Sequence, residues 1–159
     1  MMADAHRATA PYAELDALGI SLPAATAPVG TFAPCVRAGS LLYVSGHIAK
    51  RDGRPWVGRV GDTVTADDAY LAARAVAIDI LATIQAEIGD LSAISRILKV
   101  TVFVNGAPTF TDHPSVANGA SDLFRTVFGP HGIHARAAVG VGQLPFGACV
   151  EVDLIAQVS

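Results

Sequence analysis

Apolar residues recur at three- and four-residue spacing between Thr65 and Gly89, which predicts a long helix that ends near Ile88. Thr65 is a typical N-cap residue, and Asp67 and Asp68 follow it where acidic side chains favour a helix start. The apolar stripe consists of Ala69, Ala72, Ala73, Val76, Ile80, Ile84 and Ile88. Because its first half is mostly alanine, we expect this helix to pack closely on a sheet.

Two further helices are predicted on either side of the long one. Residues 114–128 have a mixed apolar side, with Asp112 as a candidate N-cap and Pro114 in the first turn. Gly119 interrupts this helix at a cost of about 1 kcal/mol relative to alanine, which suggests close packing there. Residues 11–18 form a short candidate helix followed by a Pro/Ala-rich arm. We therefore expect residues 1–28 to form an N-terminal helix and extended arm, and residues 29–159 to form the main domain.

The remaining apolar segments have the composition of strands. Residues 33–37 and 41–45 flank a Gly39-Ser40 turn and predict a hairpin whose second strand stops at Ser45-Gly46-His47. Residues 51–63 are polar and glycine-rich, so we expect an exposed loop there. Residues 97–104 are rich in β-branched side chains and predict a central strand.

A last pair of strands is predicted around HARAAVGVGQLPFGACVE, residues 134–151. With alternating side chains, Ala135, Ala137, Val139 and Val141 would form a core face, and Arg136 would point the other way among small residues. If the two strands form a hairpin centred near Pro145, Arg136 lies opposite Ile155 and about 13 Å from Glu151. The guanidinium is suited to bind a small carboxylate or phosphate, and a structural ion pair with an acidic neighbour is the alternative.

The predicted order β-β-α-β-α-β-β describes an α+β domain with a mixed sheet and two helices on one face. The other sheet face would then carry Arg136 and Glu151. The chain of 159 residues is 52% hydrophobic and only 16% charged, with a mean hydropathy of +0.44. We therefore expect the uncovered face to be buried between subunits of an oligomer.

Charge and residue usage remove several classes of function. A net charge of −3 without a basic cluster argues against a nucleic-acid partner. No uninterrupted apolar run is long enough for a membrane span, and no secretory signal is evident, so we expect a cytoplasmic protein. Cys35 and Cys149 are far apart and fit buried thiols. His131 and His134 lack nearby metal-ligating partners, so we expect neither a metal site nor a cofactor.

From about residue 29 to residue 158 the chain resembles the RidA/YjgF family of small trimeric proteins. The resemblance rests on Ser45-Gly46-His47, on residues 100–104 (VTVFV), on Asn118, and on the ordered run from Ala135-Arg136 through Leu144-Pro145 to Val150-Glu151-Val152. It implies a chorismate-mutase-like α+β fold, a homotrimer, and substrate clefts between subunits.

The resemblance also implies an activity, the hydrolytic deamination of reactive enamines and imines derived from amino acids. Arg136 would clamp the substrate carboxylate, and Glu151 would position the attacking water. Main-chain groups of Gly46 and Ala138 would complete the pocket, and the side chains of Ser45, Asn118 and Phe32 would line it.

Two departures from the family pattern leave a second function open. Phe32 stands where the deaminases usually carry a tyrosine, so the phenolic hydroxyl is absent. The N-terminal segment of residues 1–28 lies outside the common pattern. The alternative is a non-catalytic trimer that binds a small carboxylate such as an imino or 2-oxo acid.

Overall fold

The structure is a computed structural model that describes residues 11–159. These residues form three α-helices, α1 (Pro11–Ala17), α2 (Ala66–Ile88) and α3 (His113–Phe128). They also form seven strands: β1 (Cys35–Ala38), β2 (Leu41–Ile48), β3 (Lys50–Arg51), β4 (Arg54–Pro55), β5 (Ile94–Asn105), β6 (Ala135–Val141) and β7 (Val150–Val158).

Five of the strands form one mixed sheet in the order β1-β2-β7-β5-β6. Neighbouring strands are antiparallel except β5 and β6, which are parallel. Helix α2 packs beside α3, and both cover the same face of the sheet. The α+β architecture with helices on one face is thus confirmed.

The long helix begins and ends as its sequence predicts. The hydroxyl of Thr65 accepts a hydrogen bond from the backbone N–H of Asp68 at 3.1 Å, and Gly89 ends the helix at a φ of 84°. Its apolar stripe from Ala69 to Ile84, including Val76 and Ile80, is at most 1% exposed and belongs to the core, and Ile88 at the end of the stripe is partly buried against it. Burial of this stripe supplies most of the helix's stabilisation, since helical propensity alone is a weak determinant.

Gly119 lies where α3 crosses α2. A Cβ atom at this position would collide with the carbonyl oxygen of Tyr70 and would approach the Cβ of Ala73 to 3.2 Å. The close packing predicted from this glycine is therefore present, between the two helices.

Helix α1 packs against α3, with Leu15 only 2% exposed in the core. The hydroxyl oxygen of Tyr12 accepts a hydrogen bond from the backbone N–H of Leu91 at 2.9 Å. Residues 1–10 of the predicted N-terminal arm lie outside the described residues.

Three local predictions were wrong. β2 does not stop at Ser45 but continues through a bulge between Val44 and His47 to Ile48. Residues 51–63 are not entirely a loop, because β3 and β4 form a two-stranded hairpin there. Its turn residues Asp52 and Gly53 have φ values of 53° and 75°, the geometry that an Asp-Gly pair favours.

The third error concerns the last two strands, which do not form a hairpin. β5 lies between β6 and β7, so β6 pairs with β5 alone and forms one edge of the sheet. The connecting residues 142–149 carry the chain past the end of β5, where the Asn105 N–H donates to the carbonyl of Cys149 at 2.9 Å.

The sheet face opposite the helices is apolar and open in the isolated chain. Val36, Tyr43 and Val139 lie on it with 56%, 44% and 42% of their surface exposed. Tyr43 is aligned with Val36 and Ile155 in neighbouring strands, which makes the patch continuous across β1, β2 and β7. An apolar face of this kind is typical of a surface that another chain covers.

Candidate functional site

Arg136 lies on the opposite side of the sheet from the one predicted. It is aligned with Val100 of β5, and Ala138 is aligned with Val102. Both valines are fully buried beneath the helices. Since aligned residues share a sheet face, Arg136 and Ala138 point toward the helix layer.

The alternate residues that were predicted to form a core face therefore point to the open side of the sheet; they are Ala135, Ala137, Val139 and Val141. The reason for the error is that β6 is an edge strand with small residues on both faces, so alternation alone could not show which face meets the helices.

The guanidinium of Arg136 is held by two side chains of α3. Its Nη1 donates to Asn118 Oδ1 at 2.8 Å and to Ser121 Oγ at 3.1 Å. Within residues 11–159, Nη2 and Nε have no hydrogen-bond partner and no carboxylate oxygen lies within 4.0 Å. The structural ion pair that was the alternative role for Arg136 is thus not formed within the described part of the chain, and one edge of the guanidinium remains available.

Ser121 connects Arg136 to His134. Its Oγ lies 2.9 Å from His134 Nε2, and the other ring nitrogen, Nδ1, lies 2.7 Å from the carbonyl oxygen of Gly132. Burial, and to a smaller extent the positive charge of Arg136, lowers the pKa of His134 below its ordinary value. A cavity of about 280 Å³ lies beside this group, lined also by Arg125 and Ile133.

Glu151 belongs to a second group of residues, on the open face at β2 and β7. Its carboxylate lies over Gly46, so close that a Cβ atom on that glycine would be only 3.1 Å from Glu151 Cδ. Gly46 is in the β2 bulge, where the absence of a side chain leaves room for the carboxylate. Burial, and after it the nearby charge of Asp153, raises the pKa of Glu151 above its ordinary value.

Ser45 and Phe32 lie near this second group. The Ser45 hydroxyl donates to the carbonyl oxygen of Ala33 at 2.6 Å, and the Ser45 N–H donates to the carbonyl of Pro34 at 2.9 Å. These bonds hold the segment that contains Phe32 beside the β2 bulge. Phe32 itself is 53% exposed.

One chain does not bring the two groups together. Through the strand register, Glu151 is aligned with Phe103 and Val139, so it lies two strands and three residues away from Arg136. Strand spacings of about 4.8 Å and residue rises of about 3.3 Å give a separation of roughly 14 Å. The two side chains also point to opposite faces. The predicted distance was close to this value, but it was reached from a hairpin that does not exist.

Sequence reasoning missed Ser121 and undervalued His134, which it considered only as a metal ligand. The available signal was the three-residue spacing of Asn118 and Ser121, which places both on one face of α3. Among the described residues, 11–159, no group of three or more His, Cys, Asp or Glu side chains is arranged to hold a metal ion. In the same range no helix is long and apolar enough to cross a membrane.

The fold identifies the class of protein. A mixed five-stranded sheet covered by helices on one side and open on the other is a chorismate-mutase-like fold. Residues 12–158 match the sequence model of the family described as "YjgF/chorismate_mutase-like, putative endoribonuclease". The chain belongs to this RidA/YjgF family, as its motifs predict.

Individual relatives agree with this assignment. Protein TCP17 of Trypanosoma cruzi is 48% identical over 149 residues, which cover 92% of this chain and 93% of that protein. A 2-iminobutanoate/2-iminopropanoate deaminase of Dermatophagoides farinae is 29% identical, with 86% and 92% covered. The crystal structure of the protein Atu1372 from Agrobacterium tumefaciens is 42% identical, with a TM-score of 0.87 over 94% of this chain and 92% of that one.

Proposed function

We propose that the protein hydrolyses small 2-imino acids, or the enamines that tautomerise to them, to 2-oxo acids and ammonia. The observation that carries this proposal is the available edge of Arg136. Asn118 and Ser121 occupy Nη1, so Nη2 and Nε offer parallel N–H donors of the kind that bind a carboxylate in bidentate fashion. The relative named as an iminobutanoate deaminase supports the choice of substrate class.

We further propose that the protein is a homotrimer whose sites lie between subunits. Arg136 and Glu151 are roughly 14 Å apart and on opposite faces within one chain, which is too far for one small substrate to contact both. The open apolar face beside Glu151 favours contact with another chain. In such an assembly, Arg136 of one subunit meets Glu151 and Gly46 of its neighbour.

The reaction then needs little more than orientation and proton transfer. Arg136 holds the carboxylate, with main-chain groups of Ala138 on the edge strand beside it, while Glu151 orients a water toward the imine carbon. The water oxygen bonds to that carbon, the C=N π pair moves to the nitrogen, and one water proton passes through Glu151 to the nitrogen, which gives a carbinolamine. The hydroxyl proton of the carbinolamine then passes through Glu151 to the nitrogen as the carbon–nitrogen single bond breaks, which releases ammonia and leaves the 2-oxo acid. The pKa of Glu151 is raised toward neutral pH, which makes its carboxyl group better suited both to accept and to return a proton.

A non-catalytic trimer that binds small carboxylates is the second candidate. The observation that favours it is Phe32, which occupies the position of the family's usual tyrosine and cannot donate a hydrogen bond. This binder would need Arg136 but not Glu151.

Ammonia release from freshly generated 2-aminoacrylate tests the first function. Arg136→Ala should reduce the rate by about 100-fold or more, because two charge-assisted hydrogen bonds of about 1.5–3 kcal/mol each are lost. Glu151→Gln should reduce it by about 10²- to 10⁴-fold if proton transfer is removed. Arg37→Ala is the matched control, since within residues 11–159 the Arg37 side chain donates hydrogen bonds only to the carbonyls of Gly39 and Ser159.

The same preparations separate the two candidate functions. If 2-oxo acids raise the melting temperature while deamination stays at the uncatalysed rate, the protein is a binder and the deaminase proposal fails. Acceleration that survives Arg136→Ala would contradict the proposed role of the arginine in either function.

A further inference from the structure

The hydroxyl of Ser121 lies between a guanidinium and an imidazole, and for a neutral imidazole the chemistry of the groups sets the direction of each hydrogen bond. Arg136 Nη1 can only donate, so Ser121 Oγ accepts from it at 3.1 Å. The carbonyl of Gly132 can only accept, so His134 Nδ1, 2.7 Å away, carries the ring proton. In the neutral ring, which the lowered pKa of His134 favours, Nε2 is an acceptor, and the Ser121 hydroxyl donates to it at 2.9 Å.

We infer that Ser121 and His134 are positioning residues, which set the orientation of the Arg136 guanidinium for its anionic ligand. This inference rests on the proposed carboxylate-binding role of Arg136. Asn118 alone would hold one Nη1 hydrogen and leave the guanidinium able to turn about that bond. Ser121 takes the second Nη1 hydrogen, so the plane of the guanidinium is defined and the edge with Nη2 and Nε faces one direction.

His134 acts on Arg136 only through Ser121. By accepting a hydrogen bond from the Ser121 hydroxyl, Nε2 leaves the lone pairs of Oγ directed toward the guanidinium. The imidazole is itself held in place, because Nδ1 bonds the carbonyl of Gly132 and the ring of Phe124 packs edge-on at a centroid distance of 6.0 Å. The neutral ring supplies an acceptor without placing an additional positive charge beside Arg136 in the same cavity.

The same pattern of contacts occurs at His47. Its Nδ1 lies 2.7 Å from the carbonyl of Ser45, and its Nε2 lies 2.8 Å from the Thr83 hydroxyl on α2. At His47, however, no arginine bonds the hydroxyl within residues 11–159. The two imidazole–hydroxyl pairs therefore differ in one respect: the hydroxyl beside His134 also accepts a hydrogen bond from a guanidinium that has an available edge.

Calorimetric titration of the full chain with 2-oxobutanoate tests the inference. Ser121→Ala should weaken binding by about 3- to 10-fold, the amount expected for one net hydrogen bond, and Ser121→Thr should restore it because it retains the hydroxyl. His134→Asn keeps a donor near the Nδ1 position but lacks the Nε2 acceptor, so it should match Ser121→Ala. His134→Gln keeps an acceptor near Nε2 and should bind like wild type.

A double-mutant cycle distinguishes a role through Ser121 from an independent one. The variant with both Ser121→Ala and His134→Asn should bind no more weakly than Ser121→Ala alone. Ser115→Ala is the control on the same helix, since its hydroxyl bonds only Asp112 among the described residues and its loss should leave affinity unchanged.

Three outcomes would contradict the inference or its basis, and they are distinguishable. If Arg136→Ala abolishes binding but Ser121→Ala and His134→Asn bind like wild type, the positioning role is wrong and the proposed function stands. If the effects of Ser121→Ala and His134→Asn add fully, His134 does not act through Ser121. If Arg136→Ala binds like wild type, the proposed function itself fails.

Discussion

Mixed assemblies of two inactive variants provide the strongest test of a site shared between chains. Arg136→Ala and Glu151→Gln should each inactivate their own homotrimers, because every site lacks one of the two groups. Within one chain the two residues are roughly 14 Å apart, on opposite faces of the sheet. In the proposed trimer, each site would instead take Arg136 from one subunit and Glu151 from the next.

The expected recovery follows from random assembly. When the two variants are co-expressed in equal amounts with different affinity tags, a site has an intact arginine in half of the cases and an intact glutamate in half. About one quarter of the sites are then complete, so deamination should return to about a quarter of the wild-type rate. The assay is ammonia release by trimers purified through both tags in sequence. This selection removes the homotrimers, and each remaining mixed trimer has one complete site of three, so the purified trimers should have about one third of the wild-type rate.

Wild type co-expressed with the double variant Arg136→Ala/Glu151→Gln provides the control. Shared sites predict activity in about one quarter of the sites, whereas sites within single chains predict about one half. A mixture of the two single variants that is no more active than either parent would refute the shared site.

Three other predictions concern stability and reactivity. Gly119→Ala should lower the melting temperature, because the collision of the new Cβ with the Tyr70 carbonyl destabilises the fold by about 1–3 kcal/mol or more. This loss outweighs the gain of about 1 kcal/mol from the higher helical propensity of alanine. An unchanged melting temperature would contradict the close helix crossing. Burial raises the pKa of both Cys35 and Cys149 to about 11, so neither thiol should react with iodoacetamide at neutral pH until the protein unfolds, as mass spectrometry can show. Burial lowers the pKa of His47 from its ordinary value of 6.5, so between the lowered pKa and 6.5 the folded state binds fewer protons than the unfolded state. The free energy of unfolding should therefore fall as pH is lowered through this range. Urea unfolding at several pH values measures this dependence, which should be shallower in His47→Phe.

The helices could be predicted well because their signals are local. The apolar stripe of α2, its Thr65 cap and its Gly89 end are all set by neighbours within one or two turns. The glycine in α3 also carried correct information about packing, since only a missing side chain allows the backbone of α2 to approach so closely. The central position of β5 followed from its continuous run of β-branched residues.

The strand order at the end of the chain could not be predicted in the same way. A Pro/Gly turn between two strand-like segments favours a hairpin, but residues 142–149 are long enough to pass β5 instead. Which neighbour a strand takes depends on contacts distant in sequence, such as the bond between Asn105 and Cys149. The bulge at Gly46 likewise depends on the carboxylate of Glu151 lying over it, about a hundred residues later in the chain.

The position of β6 explains why the surroundings of Arg136 could not be predicted from the sequence. The guanidinium suits anion binding on either face of the sheet, and that role stays a prediction. Its partners depend on the parallel pairing with β5, which turns Arg136 toward α3 and brings it to Asn118 and Ser121. The same pairing separates it from Glu151 and leaves β6 as an edge strand. The sheet order places the cation at one edge and the carboxylate on the opposite face, and this separation is why the proposed site requires a second copy of the chain.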